Sequence, residues 1–155
     1  MDNIVVKTEG LDKALRYLKE SIDYLNKKIP YQLQESGNAM VMYAKHNHRF
    51  NHPPSKGYRP SGNAERSITA DVDAKNWVLK FYLDPSWTTL ENGQSYVDYL
   101  HEGTGDGYKK SSMADKYSPS SKGGIKADHF MVRAYEHEKK NLEKAVTTTL
   151  KKAFK

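Results

Sequence analysis

Apolar side chains recur at steps of three and four residues through the first part of the chain. They are Leu11, Leu15, Leu18, Ile22, Leu25 and Ile29. This spacing places them on one face of an α-helix, which we expect to start near Thr8 or Gly10 and to carry Asp12 in its first turn. Lys27 and Lys28 suit the end of such a helix, because basic side chains oppose the negative pole of its dipole.

Pro30 interrupts this pattern. Proline lacks the backbone N–H that a helix interior uses, but it is well tolerated in the first turn of a helix. The apolar positions that follow are Leu33, Met40, Val41 and Ala44. Gly37 lies among them and is small enough to let a neighbouring element approach closely. The pattern therefore predicts two helices, at about 11–28 and 31–47.

A different period begins after residues 49–63, a stretch with enough proline and glycine to predict a loop. Apolar side chains now alternate with polar ones in two runs, which are separated by the turn-forming residues 73–76. The apolar positions are Ile68, Ala70 and Val72 in the first run and Trp77, Leu79, Phe81 and Leu83 in the second. A period of two indicates strands with one buried face. We therefore expect an antiparallel hairpin that ends at Pro85.

The last third of the chain predicts two helices and a long connection. Apolar and aromatic residues within 96–100 share a helical face. Residues 103–124 are rich in Gly, Ser and Lys, and such a segment buries too little surface to offset its ordering entropy, so we expect a long mobile loop. The final stripe comprises Phe130, Met131, Ala134, Leu142, Ala145, Val146, Leu150 and Phe154. It predicts a C-terminal helix, with Asp128 as its cap and its start seated on the hairpin.

Together these elements predict a single α+β domain over residues 1–155. We expect an antiparallel β-sheet packed by N-terminal helices and by a long C-terminal helix. The composition, 37% hydrophobic and 28% charged, limits this domain to a thin core. Eleven tyrosines accompany only four phenylalanines and two tryptophans. Because tyrosine joins an apolar ring to a polar tip, this bias favours surfaces that become interfaces.

Charge and targeting signals bear on the kind of partner and on the compartment in which the chain assembles. The net charge is +6, and residues 126–155 alone carry eight basic and four acidic groups. Such a bias favours an acidic protein partner or a nucleic-acid backbone, although a solvated basic helix face explains it equally well. Residues 1–6 lack the pattern of a signal peptide, no stretch approaches the roughly 20 apolar residues of a membrane span, and no cysteine occurs. We expect a chain without a membrane partner that assembles in a reducing cytoplasm.

Candidate chemistry is sparse. His46-Asn47-His48 spells the name of a nuclease family in one-letter code, but that motif is dispersed along its chains. On a helix, His46 and His48 point about 200° apart, which prevents them from sharing a metal. A helix end with solvated histidines is the simpler interpretation. His101, Glu102 and Asp106 lack an accompanying nucleophile or ligand set. We therefore expect no enzymatic activity, no metal and no cofactor.

Three segments, in order, carry a resemblance to a known family. They are Pro60-Ser61-Gly62-Asn63-Ala64-Glu65-Arg66-Ser67-Ile68, Tyr96-Val97-Asp98-Tyr99-Leu100-His101-Glu102-Gly103-Thr104-Gly105 and Ala127-Asp128-His129-Phe130-Met131-Val132-Arg133-Ala134. With two helices predicted before them, they resemble the tail-completion (head–tail joining, or neck) proteins of siphophages and related prophages. The chain departs from the family where Ala64 replaces leucine, where His129 replaces proline, and in the long loop after Gly105. Purely structural roles in turns and packing also account for Gly62 and Phe130.

The resemblance implies a structural protein of the virion neck, made in the host cytoplasm. It implies a homo-oligomeric ring, hexameric in size, between the head-side adaptor or stopper and the tail terminator or tube. The surfaces we expect to contact neighbouring subunits and partner rings comprise Tyr99, Glu102, Thr104, Tyr108, Lys109, Lys110, Lys116, Tyr117 and Lys122. We expect the lysines among them to face acidic partners or the DNA that passes through the channel.

Two rival functions remain open on the sequence. The first is sequence-nonspecific nucleic-acid binding through the basic C-terminal helix. Its lysines are Lys139, Lys140, Lys144, Lys151, Lys152 and Lys155, and Glu136, Glu138 and Glu143 interrupt them. The second is a metal-dependent nuclease.

Overall fold

The computed structural model describes residues 10–48, 62–89, 93, 95–102 and 128–155. These residues form helices α1 (Leu11–Asn47), α2 (Asn63–Ser67), α3 (Tyr96–Glu102) and α4 (Phe130–Ala153), strands β1 (Ile68–Asp73) and β2 (Val78–Leu83), and a 3-10 turn (Pro85–Trp87). The α+β class is confirmed, with one long helix before a two-stranded sheet and another after it. The predicted loop at 103–124 lies outside the described residues, as does most of the predicted loop at 49–63.

The first helix is continuous, so the prediction of two helices was wrong. Pro30 lies inside α1, which runs without a break from Leu11 to Asn47. An interior proline costs roughly 3 kcal/mol of helix stability. Burial on both sides of the proline offsets this cost, because Ile29 before it and Leu33 after it pack into one cluster against α4. We predicted a helix end here because proline is a local signal for one, but tertiary packing against α4 overrides that signal.

Helix α4 lies antiparallel along α1. Ser21 Oγ donates to the Ala153 carbonyl oxygen (2.6 Å), whereas near the other end of the pair the Tyr43 and His137 rings stack with centroids 4.2 Å apart. Residue numbers therefore rise along α1 as they fall along α4. This pairing was expected to bring α4 onto the hairpin, but α4 packs chiefly on α1.

The hairpin has the predicted form except at Trp77. This residue was expected to begin the apolar alternation of the second strand, but it lies in the turn with a left-handed φ of 53° and is 38% exposed. The strands of the hairpin are antiparallel, with Ile68 opposite Leu83 and Asp73 opposite Val78, and side chains on β2 alternate between exposed and half-buried. Backbone N–H groups of Lys75 and Asn76 donate to Asp73 Oδ1 across the turn. The Asn76 side chain, which donates to Asp73 Oδ2, together with these backbone bonds, lowers the pKa of the Asp73 carboxyl below its usual value.

One core cluster joins every described helix and strand to α1. Its buried members are Met40, Ala44, Ile68, Val97, Leu100, Phe130 and Ala134. Phe130 reaches this cluster from the first turn of α4 and is 1% exposed. The predicted packing of Phe130 is thus correct in part, because its neighbours include Ile68 of β1 but also residues of α1 and α3.

The sheet approaches α1 most closely at Gly37. A Cβ atom at this position would lie 2.8 Å from Leu79 Cδ1 and 3.1 Å from Ala70 Cβ. Such separations are below ordinary van der Waals contact, so a Cβ atom here would require Leu79 and Ala70 to move away from α1. The expectation that a small residue here admits a close neighbour is confirmed.

We predict that Gly37→Ala lowers the free energy of unfolding by about 1 kcal/mol. The substitution gains about 1 kcal/mol of helix propensity, but overpacking against Leu79 and Ala70 costs about 2 kcal/mol. Urea denaturation measures the difference. In a Leu79→Ala background the loss should shrink, because the nearest atom is gone. A Gly37→Ala protein more stable than the wild type would contradict the close approach.

Candidate interaction surface

The N-terminal part of α1 exposes an apolar face. Leu11, Leu15, Leu18 and Ile22 are 54%, 55%, 47% and 53% exposed. They belong to the same row of side chains as Leu25 and Ile29, which are buried further along the helix. We call these four residues the uncovered stripe. Isolated exposed hydrophobic residues are ordinary on protein surfaces, but a row at helical spacing is typical of a contact surface.

The stripe is uncovered because α4 is too short to reach it. Helix α4 ends at Ala153, whose carbonyl oxygen accepts a hydrogen bond from Ser21. From Leu11 to Leu18 the helix axis rises about 10 Å, and this length lies beyond the end of α4. Ile22 lies level with that end, next to the buried Ser21, and is exposed to one side of it. The sequence therefore supplies a core-like face along a part of α1 where α4 provides no cover.

Exposed apolar residues also occur at the end of α4. Phe154 follows Ala153 directly and is 54% exposed, and Leu150 is 39% exposed. Because Ala153 contacts Ser21, these two residues lie near the boundary between the covered and uncovered parts of α1. The end of α4 thus extends the apolar surface beyond one helix.

The structure does not describe the side chains of the interface residues predicted from the sequence. Tyr99 and Glu102 belong to α3, and their side chains are not among those described. The others, Thr104, Tyr108, Lys109, Lys110, Lys116, Tyr117 and Lys122, lie outside the described residues. Their role stays a prediction. Sequence reasoning found the apolar stripe of α1 but missed its exposure, although the shorter C-terminal stripe was a signal that α4 would leave part of α1 uncovered.

The start of α4 is held by Arg133 rather than by the predicted Asp128 cap. His129 occupies the N-cap position, and the Asp128 carboxylate binds Arg133, whose Nη2 lies 2.6 Å from Asp128 Oδ1. Arg133 Nη2 also donates to the Asn47 carbonyl oxygen (2.8 Å), and Nη1 donates to the Asp128 carbonyl oxygen. The guanidinium therefore ties the end of α1 to the segment that precedes α4. The capping prediction was wrong because an ion pair takes up the carboxylate.

The backbone at His129 bears on one difference between this chain and the tail-completion pattern that its segments resemble. The φ of His129 is 50°, in the left-handed region. Proline is locked near a φ of about −65°, so the family's proline does not fit the conformation that this chain adopts. The start of α4 is consequently built differently here from the pattern that the resemblance implies.

The histidines at the end of α1 differ in environment. His46 is exposed, as expected, and its Nδ1 lies 2.8 Å from the Met42 carbonyl oxygen. His48 was also expected to be solvated, but its side chain is 7% exposed and its Nε2 lies 3.1 Å from Glu65 Oε1 of α2. Among the described residues, no group of three or more His, Cys, Asp and Glu side chains is placed to hold a metal ion.

The outer face of α4 carries its lysines. Lys140, Lys144 and Lys151 are exposed and lie on one side of the helix. Glu138, which we expected to interrupt this face, is instead buried against α1, where its carboxylate accepts from Ser36 Oγ (3.0 Å) and Asn141 Nδ2 (3.1 Å). Lys139 pairs loosely with Glu143 at 3.9 Å. The basic face is therefore more continuous than the sequence suggested.

Comparison with protein-family models, curated proteins and solved structures finds no match. None of the helices in the described ranges is both long enough and apolar enough to cross a membrane. The resemblance of the three segments to phage tail-completion proteins therefore stays a prediction, and the surface geometry must carry the functional argument.

We predict that Arg133→Gln destabilises the fold by about 2 kcal/mol, because it removes the guanidinium charge from the Asp128 carboxylate, which is only 4% exposed. Arg133→Lys should lose a smaller part, since an ammonium cannot form the same fork of hydrogen bonds. Thermal unfolding measures both changes. Lys140→Gln, on the outer face of α4, is the matched control and should change little. Equal stability of all three variants would refute the role of Arg133.

Proposed function

We propose that this chain is a structural subunit of a bacteriophage head–tail joint, a tail-completion protein that works by binding other protein chains. The observation that supports the proposal is the uncovered stripe, whose spacing and chemistry match the buried face of the same helix. Covering each half-exposed leucine or isoleucine contributes roughly 1 kcal/mol to association. A chain whose longest helix leaves such a face in water is suited to assembly.

The arrangement of the three family-like segments also supports the proposal. Ile68 of the first, Leu100 of the second and Phe130 of the third lie in one buried cluster. The backbone N–H of His129 donates to the His101 carbonyl oxygen at 3.0 Å, which joins the second and third segments directly. Segments that build one core together are expected to recur together. Their co-occurrence therefore favours a shared fold more strongly than each short motif does alone.

On this proposal the chain acts in a homo-oligomeric ring between the head-side adaptor or stopper and the tail terminator or tube. Its work is to bury surface against neighbouring subunits and partner rings. The segment that includes Lys109, Lys110, Lys116 and Lys122 would face acidic partners or the DNA in the channel.

A nonsense mutation in the phage or prophage gene that encodes the chain tests this function. We expect separate full heads and tails in electron micrographs of the lysate, and joined particles when the wild-type gene is supplied in trans. Supplying Leu15→Glu/Leu18→Glu, which places charges on the uncovered stripe, should leave joining at least tenfold lower. Glu20→Gln, on an exposed position of the same helix, should complement fully. Normal yields of joined particles without the chain would refute the proposal.

The basic face of α4 supports nucleic-acid binding as a second candidate function. Lys140, Lys144 and Lys151 are near one another on one side of the helix, and Glu138 does not interrupt them. A gel-shift titration of duplex DNA at low and moderate salt separates the candidates, because phosphate binding weakens steeply as salt rises. We expect the tail-completion function alone to give no retardation that depends on Lys140 and Lys144. A shift at low salt that Lys140→Gln/Lys144→Gln abolishes would establish the second candidate.

A further inference from the structure

We infer that the uncovered stripe is covered by the same stripe of a second copy of this chain, with the two α1 helices antiparallel. The inference rests on the proposed function only in taking this face as a contact surface. The partner is therefore another copy of this chain, and the two α1 helices run in opposite directions.

The spacing of the stripe fits an antiparallel helix pair. Its steps of four, three and four residues are those of alternating core positions in a coiled coil. In an antiparallel pair centred between Leu15 and Leu18, Leu11 meets Ile22 of the second copy, and Leu15 meets Leu18 of the second copy. Two-fold symmetry repeats both layers, so all four side chains of each copy are covered.

Charges beside the stripe select the antiparallel direction. Asp12 and Lys19 are exposed and occupy the same flank of the stripe, seven residues apart. Along an antiparallel pair that flank faces itself, so Asp12 of each copy lies beside Lys19 of the other, which gives two ion pairs. In a parallel pair, Asp12 and Lys19 would instead face the opposite flank of the second copy's stripe. That flank carries Ala14 and Ser21, which have no charge. Ala14 is small and exposed, which suits close approach of the helices, whereas Ser21 is already buried against the end of α4.

The end of α4 leaves space for the second helix. Helix α4 runs antiparallel to α1 and ends beside Ser21, so an antiparallel second α1 would begin there and run in the same direction as α4. Its N-terminus, the positive pole of its dipole, would then adjoin the C-terminal negative pole of α4. Phe154 and Leu150, exposed at this end, are placed near the first turn of the added helix.

We expect the association to be weak and to stop at the dimer. A helix pair of three turns falls below the roughly 1,200 Å² that stable interfaces bury, so we expect dimers that form at micromolar or higher concentration. A two-fold contact uses the same patch on both copies. A ring of more than two subunits therefore needs a further contact elsewhere on the chain.

Sedimentation of the full-length chain over a wide concentration range tests the pairing. We expect a monomer–dimer equilibrium for the wild type and for Glu20→Gln. Asp12→Lys alone should weaken the dimer about tenfold, because two attractions become two repulsions. Adding Lys19→Asp should restore it. Circular dichroism verifies that each variant is folded, and a chain that stays monomeric at millimolar concentration would overturn the inference.

The direction of the helices is tested with spin labels. The chain has no cysteine, so Lys13→Cys and Lys27→Cys each give one labelled position. In the antiparallel dimer the axial separation between labels is about 10 Å at position 13 and about 30 Å at position 27. Equal distances at the two positions would mean a parallel pair and would overturn the inference.

The two proposals fail separately. A monomeric chain that is still needed to join heads to tails would refute the pairing and leave the proposed function standing, with a different protein on the stripe. An antiparallel dimer from a chain that is dispensable for joining would refute the proposed function, while the pairing would hold.

Discussion

The packing of α4 along α1 is the interaction on which the rest of the fold depends. It spans Pro30 and so keeps α1 continuous, because residues before and after the proline are buried in the same cluster. It also brings Phe130 to the core that Ile68 and Leu100 complete. The two-stranded hairpin could not bury a face alone, since an isolated hairpin is marginally stable at best. It takes its support from α1, at the position where Gly37 leaves room for it.

Local periodicity was enough to predict most elements. The alternation around residues 68–83 specified the hairpin and its buried face, and the apolar spacing after Phe130 specified α4. The errors concern features that depend on distant residues. Pro30 carries a local signal for a helix end, but contacts with α4 override it. Asp128 has the chemistry of a cap, but its carboxylate is bound by Arg133 from the next helix turn, which composition does not reveal.

The candidate surface was only half visible in the sequence. The pattern identified the apolar face of α1, but exposure depends on where α4 stops, and no local feature of α1 encodes that. Tyrosine content and lysine runs instead directed attention to the segment after α3. Glu138 illustrates the same difficulty, since a glutamate in a lysine-rich helix suggests a solvated position, yet this one contacts Ser36 at the helix interface.

The bond between Ser36 and Glu138 has a consequence for how far α1 projects. Apolar ridges alone would let two helices slide past each other by one turn, about 5.4 Å, with little change in contact. Such a slip would move the buried carboxylate away from its donor, at the cost of an unsatisfied charge in a poorly solvated interface. Together with the bonds that Ser21 and Gln32 donate to α4, this pair sets the alignment of the two helices. Through that alignment it sets the length of leucine-bearing helix that is left exposed for a partner.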